Sequence, residues 1–136
     1  MNKLYYIIFF FTLLMQISII DEIEGFLTEF KQKLKVFDIV YHRSDDNTEA
    51  VVELDIKPVN RNETLLKLTS NDYYKGPNPD LHDPYGSPVW EFGKVVNNKE
   101  VYIKISLGSP GKPVICKSFH LPKRKINYPY KEKNIE

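Results

Sequence analysis

A tyrosine and a lysine share the polar side of the segment with the clearest alternation in this chain of 136 residues. An antiparallel strand with one buried face produces such alternation, because successive side chains point to opposite faces. A phenol and an ammonium group in the middle of a sheet make that face the first candidate for chemistry. In residues 100–107 the apolar set is Val101, Ile103, Ile105 and Leu107, and the polar set is Tyr102, Lys104 and Ser106.

The segment is the middle strand of a predicted three-stranded meander. Trp90–Val96 leads through an Asn-Asn turn into Glu100–Leu107, and a Gly-Ser-Pro-Gly turn leads into Lys112–His120. In the last strand, alternation predicts that Cys116, Ser118 and His120 share one face, with Ile115 and Phe119 on the other. Lys117 then falls on the apolar face, which favours an edge position.

The residues before the meander predict mostly helix. Asp21–Lys35 has apolar residues at helical spacing, acidic residues in its first turn and lysines in its last. A strand is predicted over Val36–His42, then a short helix over Thr48–Leu54 capped by Asn47, and another short helix ending near Leu68. The predicted fold class is α+β, with N-terminal helices packed on a small antiparallel β-meander sheet.

Charge is distributed unevenly along the chain. Residues 1–89 contain 9 Lys/Arg and 14 Asp/Glu, whereas residues 90–136 contain 10 and 4. A basic sheet half suits a polyanion laid across the sheet, although lysine-rich strand edges can also serve solubility alone. The single cysteine, Cys116, excludes an internal disulfide and a cysteine-based metal cluster, and it favours a reducing compartment.

The first residues allow three interpretations. Residues 5–20 carry no charge and follow a lysine, as in a secretory signal, but the run ends without the small residues of a cleavage site. It is also short for a membrane span of about 20 residues. The third interpretation is that translation starts at Met15. The chain is thus divided into an apolar segment (1–20, signal, anchor or over-extended start), a folded domain (21–121) and a polar tail (122–136).

Four segments carry a resemblance to a known family: Leu65–Lys75, Val89–Glu91, Glu100–Ile105 and Val114–His120. A Gly-Pro-x-Pro-Asp loop at Gly76–Asp80 and a Trp-x-Phe-Gly-Lys strand accompany them. In their order and spacing, the four segments resemble the MqsR family of type II toxin–antitoxin toxins, which are small mRNA-cleaving RNases (mRNA interferases) of the RelE-like ribonuclease fold. The loop and the strand resemble one branch of that family. The resemblance covers roughly residues 22–121.

The resemblance implies cleavage of mRNA through attack by the 2′-hydroxyl, without a metal or any other cofactor. That reaction needs a base, groups that stabilise the charged phosphorus centre, and an acid. Lys75 and Tyr102 match the family's catalytic set. Where studied members carry a glutamine and a lysine, this chain has Glu91 and His120, a usable acid–base pair. We therefore expect Glu91 or His120 to transfer protons and Lys75 to stabilise charge.

The resemblance also implies binding partners. Lys104, on the face of Tyr102, and Lys94 are candidate RNA-binding residues. The expected partners are mRNA and a DNA-binding antitoxin encoded alongside, with the ribosome as a further partner for some enzymes of this fold. The expected compartment is the cytoplasm, or the envelope or exterior if the apolar N-terminus is genuine.

Each candidate also has a purely structural interpretation. Tyr102 is compatible with cross-strand packing, Glu91 with an ordinary ion pair to Lys94 or Lys104, and His120 with a solvated strand end. His82 and Asp83 lack the spacing of metal ligands, so no metal is expected. A second hypothesis is an exported or membrane-tethered α+β binding module without catalysis.

Overall fold

The computed structural model describes residues 2–132 and has an α+β fold, as the sequence predicts. A long N-terminal helix and two short helices accompany a five-stranded sheet. The helices are α1 (Lys3–Phe37), α2 (Asp45–Glu53) and α3 (Pro58–Leu66), and a 3-10 turn covers Ser70–Asp72. The strands are β1 (Ile39–Tyr41), β2 (Tyr73–Asn78), β3 (Val89–Val96), β4 (Lys99–Ser106) and β5 (Val114–His120).

The sheet is mixed rather than purely antiparallel, with strand order β1-β5-β4-β3-β2. Its centre is the predicted meander: β3 pairs with β4 and β4 with β5, both antiparallel. Asn97 and Asn98 turn the chain between β3 and β4 with φ angles of 50° and 65°, a conformation that asparagine tolerates well. The prediction missed strand β2, which pairs with β3, and it missed the parallel pairing of β1 with β5.

The predicted strand over residues 36–42 is mostly wrong. Helix α1 continues through Phe37 and ends at Asp38, whose φ angle is 69° and whose N–H donates to the carbonyl of Leu34 at 3.0 Å. Only Ile39–Tyr41 remains for the strand. The apolar, β-branched composition of this segment does not distinguish the last turn of a buried helix from a strand.

The core lies between α1 and one face of the sheet. The buried side chains of α1 are Ile23, Phe26, Leu27, Phe30 and Leu34, which recur at helical spacing. Phe26 stacks on Trp90 of β3 with ring centroids 4.5 Å apart. Alternating residues of β3 and β4, among them Phe92 and Ile103, complete this layer. The opposite face of the same strands is therefore left for the polar side chains.

Helix α1 also includes the apolar N-terminal segment, so that residues 3–37 form one continuous helix of 35 residues. The large apolar side chains of residues 4–17 are between 42% and 64% exposed. The helix is long and apolar enough to cross a membrane, and its most apolar window is unburied. A signal sequence or a core helix of a soluble protein meets the same criteria of length and composition.

A β-bulge in β5 corrects the predicted faces of that strand. Cys116 pairs with Ile105, whereas Ser118 pairs with Lys104, so Lys117 is an extra residue. A bulge re-aims the side chains that follow it. Cys116 therefore lies in the core, not on the face of Ser118 and His120 as predicted, and burial raises the pKa of its thiol to about 12.

The side chain of Asn47 in helix α2 forms hydrogen bonds to the backbone of the bulged end of β5. The predicted cap is wrong, because Ser44 caps α2 by accepting a hydrogen bond from the N–H of Asn47 at 3.1 Å. The side chain of Asn47 is buried instead and accepts from the N–H of Phe119 at 3.0 Å. This bond supports the backbone immediately before His120.

The loop between β2 and β3 is fixed to the bulge by a buried ion pair. The ammonium of Lys117 donates to the carboxylate of Asp80, and their side chains are 14% and 8% exposed. The hydrogen bond from Lys117 lowers the pKa of Asp80. A carboxyl group with a lowered pKa stabilises the fold above its unfolded value of about 3.9, and this contribution is lost as the pH falls through the folded value.

We expect Asp80→Asn to lower the free energy of unfolding by about 1–3 kcal/mol at pH 7, because Lys117 loses a charged partner. Below about pH 3.9 the difference between the two proteins should decrease as the pH falls, since the carboxyl is then protonated more readily in the unfolded wild-type protein than in the folded one. Urea unfolding of both proteins at each pH measures this. Asp83→Asn, on the exposed part of the same loop, is the control. A difference that stays constant as the pH falls from 7 to 3 would contradict the role of the ion pair.

Candidate active site

The four residues predicted to be catalytic all line one cleft of about 290 Å³ on the polar face of the sheet. Each comes from a different strand: Lys75 from β2, Glu91 from β3, Tyr102 from β4 and His120 from β5. The rest of the wall is Tyr74 and part of the chain after β5. Those further residues are Pro122, Lys123, Arg124 and Ile126.

Strand register brings these side chains together. Tyr102 is the cross-strand partner of His120, and Lys75 is the partner of Glu91. Partners directly opposite each other lie on the same face of a sheet. Gly93 stands opposite Tyr102 on the other side, so no side chain separates the phenol from Glu91. Glu91 and Tyr102 are therefore diagonal neighbours on β3 and β4.

Tyr102 donates a hydrogen bond from its hydroxyl to Oε1 of Glu91. Burial of the ring, together with this bond to a carboxylate, raises the pKa of Tyr102 well above its usual value. The hydroxyl therefore stays protonated near neutral pH. It can donate a hydrogen bond to an anionic substrate, but it cannot serve as the base.

The ring of His120 lies beside that of Tyr102, with centroids 5.3 Å apart. Its Nδ1 is 2.9 Å from the carbonyl oxygen of Leu121, which can only accept, so Nδ1 carries a proton. In the neutral ring Nε2 then holds the lone pair. Nε2 makes no hydrogen bond to any of residues 2–132. The geometry thus leaves one nitrogen of His120 for exchange of a proton with a ligand.

Glu91 and Lys75 differ in exposure. The residue Glu91 is only 8% exposed, and a buried carboxylate is a stronger hydrogen-bond acceptor than a solvated one. Lys75 is exposed, and its Nζ lies 4.9 Å from the ring centroid of Tyr74. A register shift in β2 between Tyr73 and Lys75 directs both Tyr74 and Lys75 toward the cleft.

The two candidate RNA-binding lysines lie in different places. Lys104 is on the polar face, opposite Glu91 on one side and Ser118 on the other, but it is not part of the cleft wall. Lys94 pairs with Val101 on the opposite face of the sheet. Its Nζ donates to Asp72 at 3.2 Å. Lys94 is therefore separate from the other five candidates.

The chain after β5 crosses the polar face, which the sequence did not predict. The segment of residues 121–132, here called the C-terminal strap, is fixed by three aromatic or apolar side chains. Ile126 is buried, the hydroxyl of Tyr128 donates to Glu100 at 2.8 Å, and Tyr130 stacks on Tyr73 at 5.7 Å. Their spacing of two residues in an otherwise polar segment is the signal for an extended, packed chain. Residues 133–136 of the predicted tail lie outside the described residues.

Gly93 makes room for the C-terminal strap. A Cβ atom at this position would lie 2.3 Å from the hydroxyl oxygen of Tyr128 and 2.8 Å from Cδ1 of Ile126. Both distances are shorter than van der Waals contact, so a side chain here would displace the strap. The absence of a side chain at Gly93 therefore leaves room for the strap above it and for the side chain of Tyr102 beside it.

In the described portion of the chain, His82 and Asp83 belong to no group of three or more His, Cys, Asp or Glu side chains placed to hold a metal ion. Comparison with known proteins finds no family model, no curated protein and no solved structure that matches this chain.

Proposed function

We propose that this chain is an endoribonuclease that cleaves mRNA by attack of the 2′-hydroxyl, and that it is a toxin of the MqsR family with the RelE-like ribonuclease fold. The observation that carries the proposal is the single cleft formed by Lys75, Glu91, Tyr102 and His120. These residues are distant in sequence, and a chain without a polar ligand has no need to gather a carboxylate, a phenol, an imidazole and an ammonium group on one sheet face.

The chemistry that these groups can perform balances without a cofactor. A base removes the proton from the 2′-hydroxyl, the oxygen forms a bond to phosphorus, and the bond from phosphorus to the 5′-oxygen breaks. An acid gives a proton to the departing 5′-oxygen. The products are a 2′,3′-cyclic phosphate and a 5′-hydroxyl end.

The order of the strands suits this division of labour. Tyr102 lies on β4 between Glu91 on β3 and His120 on β5. Adjacent strands are about 4.8 Å apart, so the carboxylate and the imidazole flank the phenol on either side. A phosphate over Tyr102 then has a proton acceptor on one side and a proton donor on the other. When a phosphate binds, the single hydroxyl proton of Tyr102 turns from Glu91 to a phosphate oxygen. This leaves Glu91 free to accept the proton of the 2′-hydroxyl, and Lys75 offsets the charge that develops.

Glu91 is best suited to act as the base and His120 as the acid. Glu91 is buried and already accepts a hydrogen bond, as a carboxylate does, whereas the imidazolium of His120 carries a proton on Nε2 that it can give to the 5′-oxygen. The resemblance to MqsR toxins further suggests growth regulation as the biological role, a DNA-binding antitoxin as the inhibitor, the ribosome as a further partner, and the cytoplasm as the compartment.

The test is cleavage of a mixed-sequence RNA by the full chain, purified in a mild detergent, with EDTA present. We expect 2′,3′-cyclic phosphate ends. Tyr102→Phe should slow cleavage on the order of tenfold to a hundredfold, because it removes a hydrogen bond to a charged group. Tyr85→Phe, the same change on a fully exposed loop residue, should have no effect. If the wild-type chain cleaves neither free RNA nor mRNA on translating ribosomes, the proposal is overturned.

A second candidate function rests on the exposed end of α1. Among the described residues, nothing packs on the apolar side chains of residues 4–17, and a helix that is apolar and exposed on all sides is typical of a membrane span. This favours a membrane-tethered binding module, in which the polar face contacts a ligand without catalysis. Cosedimentation of the full chain with lipid vesicles, combined with absence of RNA cleavage, would favour this function over the first.

A further inference from the structure

The C-terminal strap brings positive charge to the cleft from outside the region of family resemblance, which ends near residue 121. Three consecutive basic residues, Lys123, Arg124 and Lys125, follow the end of β5. Lys123 and Arg124 line the cleft, whereas Lys125 does not. The strap therefore contains two cationic side chains in the cleft wall, Lys123 and Arg124, and a third, Lys125, that is adjacent in sequence but outside the wall.

The basic residues are held in place at both ends. On one side, β5 ends at His120, whose backbone neighbour Phe119 is fixed by Asn47. On the other side, Ile126 is buried over Gly93 and Tyr128 is bonded to Glu100. A segment anchored at both ends loses less conformational entropy when it binds a ligand. The strap is thus a preorganised wall of the cleft.

The charges of the cleft wall are mainly positive. Lys75 stands at the β2 side, and Lys123 and Arg124 stand at the β5 side. Glu91 is the sole carboxylate in the wall, as far as residues 2–132 define it, and its Oε1 already accepts from Tyr102. Cations on both sides of the row Glu91–Tyr102–His120 match a ligand with negative charge on both sides of its reacting centre.

The ion pairs of the strap do not compete strongly with such a ligand. Nζ of Lys123 is 2.7 Å from Asp46, but their side chains are 69% and 46% exposed. Exposed pairs are screened by water and salt and contribute little. Within residues 2–132, no ion pair involves Arg124 or Lys75. Both are available to an anionic ligand.

We infer that Lys123 and Arg124 of the C-terminal strap bind the phosphates next to the scissile one, and that the ligand of the cleft is single-stranded RNA. A positively charged groove with aromatic side chains is the usual design for single strands, and Tyr74 and Tyr102 supply the rings. The inference rests on the proposed function for its choice of RNA. Arg124 acts as the main anchor, because its planar guanidinium binds phosphate through two hydrogen bonds.

Binding of a fluorescent, mixed-sequence 2′-O-methyl RNA oligonucleotide tests the inference apart from cleavage, since this RNA lacks the attacking hydroxyl. The full chain and its Arg124→Gln and Lys125→Gln variants are titrated by fluorescence anisotropy at several salt concentrations. We expect Arg124→Gln to weaken binding about tenfold and to reduce the slope of log K against log salt by about 0.7, the value for one phosphate contact with a single strand. Lys125→Gln, which removes the same charge, should leave the slope unchanged.

The outcomes separate the two proposals. Equal slopes for the two variants, or no binding by the wild-type chain, would overturn the role of the strap. Cleavage of natural RNA with equal slopes would overturn it while supporting the proposed function. A slope reduced only by Arg124→Gln, without cleavage of either free RNA or mRNA on translating ribosomes, would support the strap as an RNA-binding wall while removing the catalytic proposal.

Discussion

Replacing His120 with alanine should slow RNA cleavage by a factor on the order of 10²–10⁴, the usual contribution of a general acid or base. Nδ1 of His120 donates a hydrogen bond to the carbonyl oxygen of Leu121, so Nε2 is the ring nitrogen that can exchange a proton with the substrate. Without the ring, the departing 5′-oxygen must take its proton from water. Tyr102 does not replace it efficiently, because its raised pKa makes the phenol a weak proton donor.

The measurement is the single-turnover rate of RNA cleavage by wild type and His120→Ala under identical conditions. His82→Ala is the matched control, since His82 is exposed in the loop before β3 and outside the cleft wall. Added imidazole should restore part of the lost rate only in His120→Ala. A His120→Ala rate equal to that of wild type would remove His120 from the reaction and leave proton transfer to Glu91.

Replacing Phe92 with alanine should lower the free energy of unfolding by about 3–5 kcal/mol. Phe92 is fully buried in β3, and its cross-strand partner on β4 is Ile103. Its ring centroid lies 6.3 Å from that of Phe26 in α1. The truncation leaves a cavity where the helix meets the sheet. It also loosens the strand that carries Glu91, the immediate neighbour of Phe92 in the chain.

Urea unfolding of Phe92→Ala, followed by circular dichroism, measures this loss. Val95→Ala is the control on the same strand, because Val95 is 62% exposed and its truncation should change the free energy by less than about 0.5 kcal/mol. Similar midpoints for the two variants would contradict the packing of α1 on this face of the sheet.

The parts of the fold that follow from local pattern could be predicted from the sequence. The strict alternation around Tyr102 identified strand β4 and the face of the sheet on which Tyr102 lies. The two asparagines identified the turn before β4. The predicted site residues Lys75, Glu91, Tyr102 and His120 are brought to one cleft because antiparallel register places them on a common face. Their roles in catalysis remain predictions.

The missed features depend on tertiary contacts that leave weak local signals. The bulge at Lys117 moves Cys116 into the core. Its signal was the lysine on the predicted apolar face, but the edge position predicted from that lysine is wrong, because β5 lies between β1 and β4. The parallel pairing of β1 with β5 joins segments that are far apart in the chain. The C-terminal strap lacks regular secondary structure, and its path depends on the space above Gly93.

The continuity of α1 has a mechanical consequence. An α-helix rises about 1.5 Å per residue, so the exposed residues 4–17 of α1 form a rigid lever arm on the order of 20 Å long. No break separates this lever from Ile23–Leu34, which are packed into the core. Whatever holds the outer end therefore sets the orientation of the whole domain. Because α1 packs on the face of the sheet opposite the cleft, the helix itself contributes no residue to the described wall of the cleft.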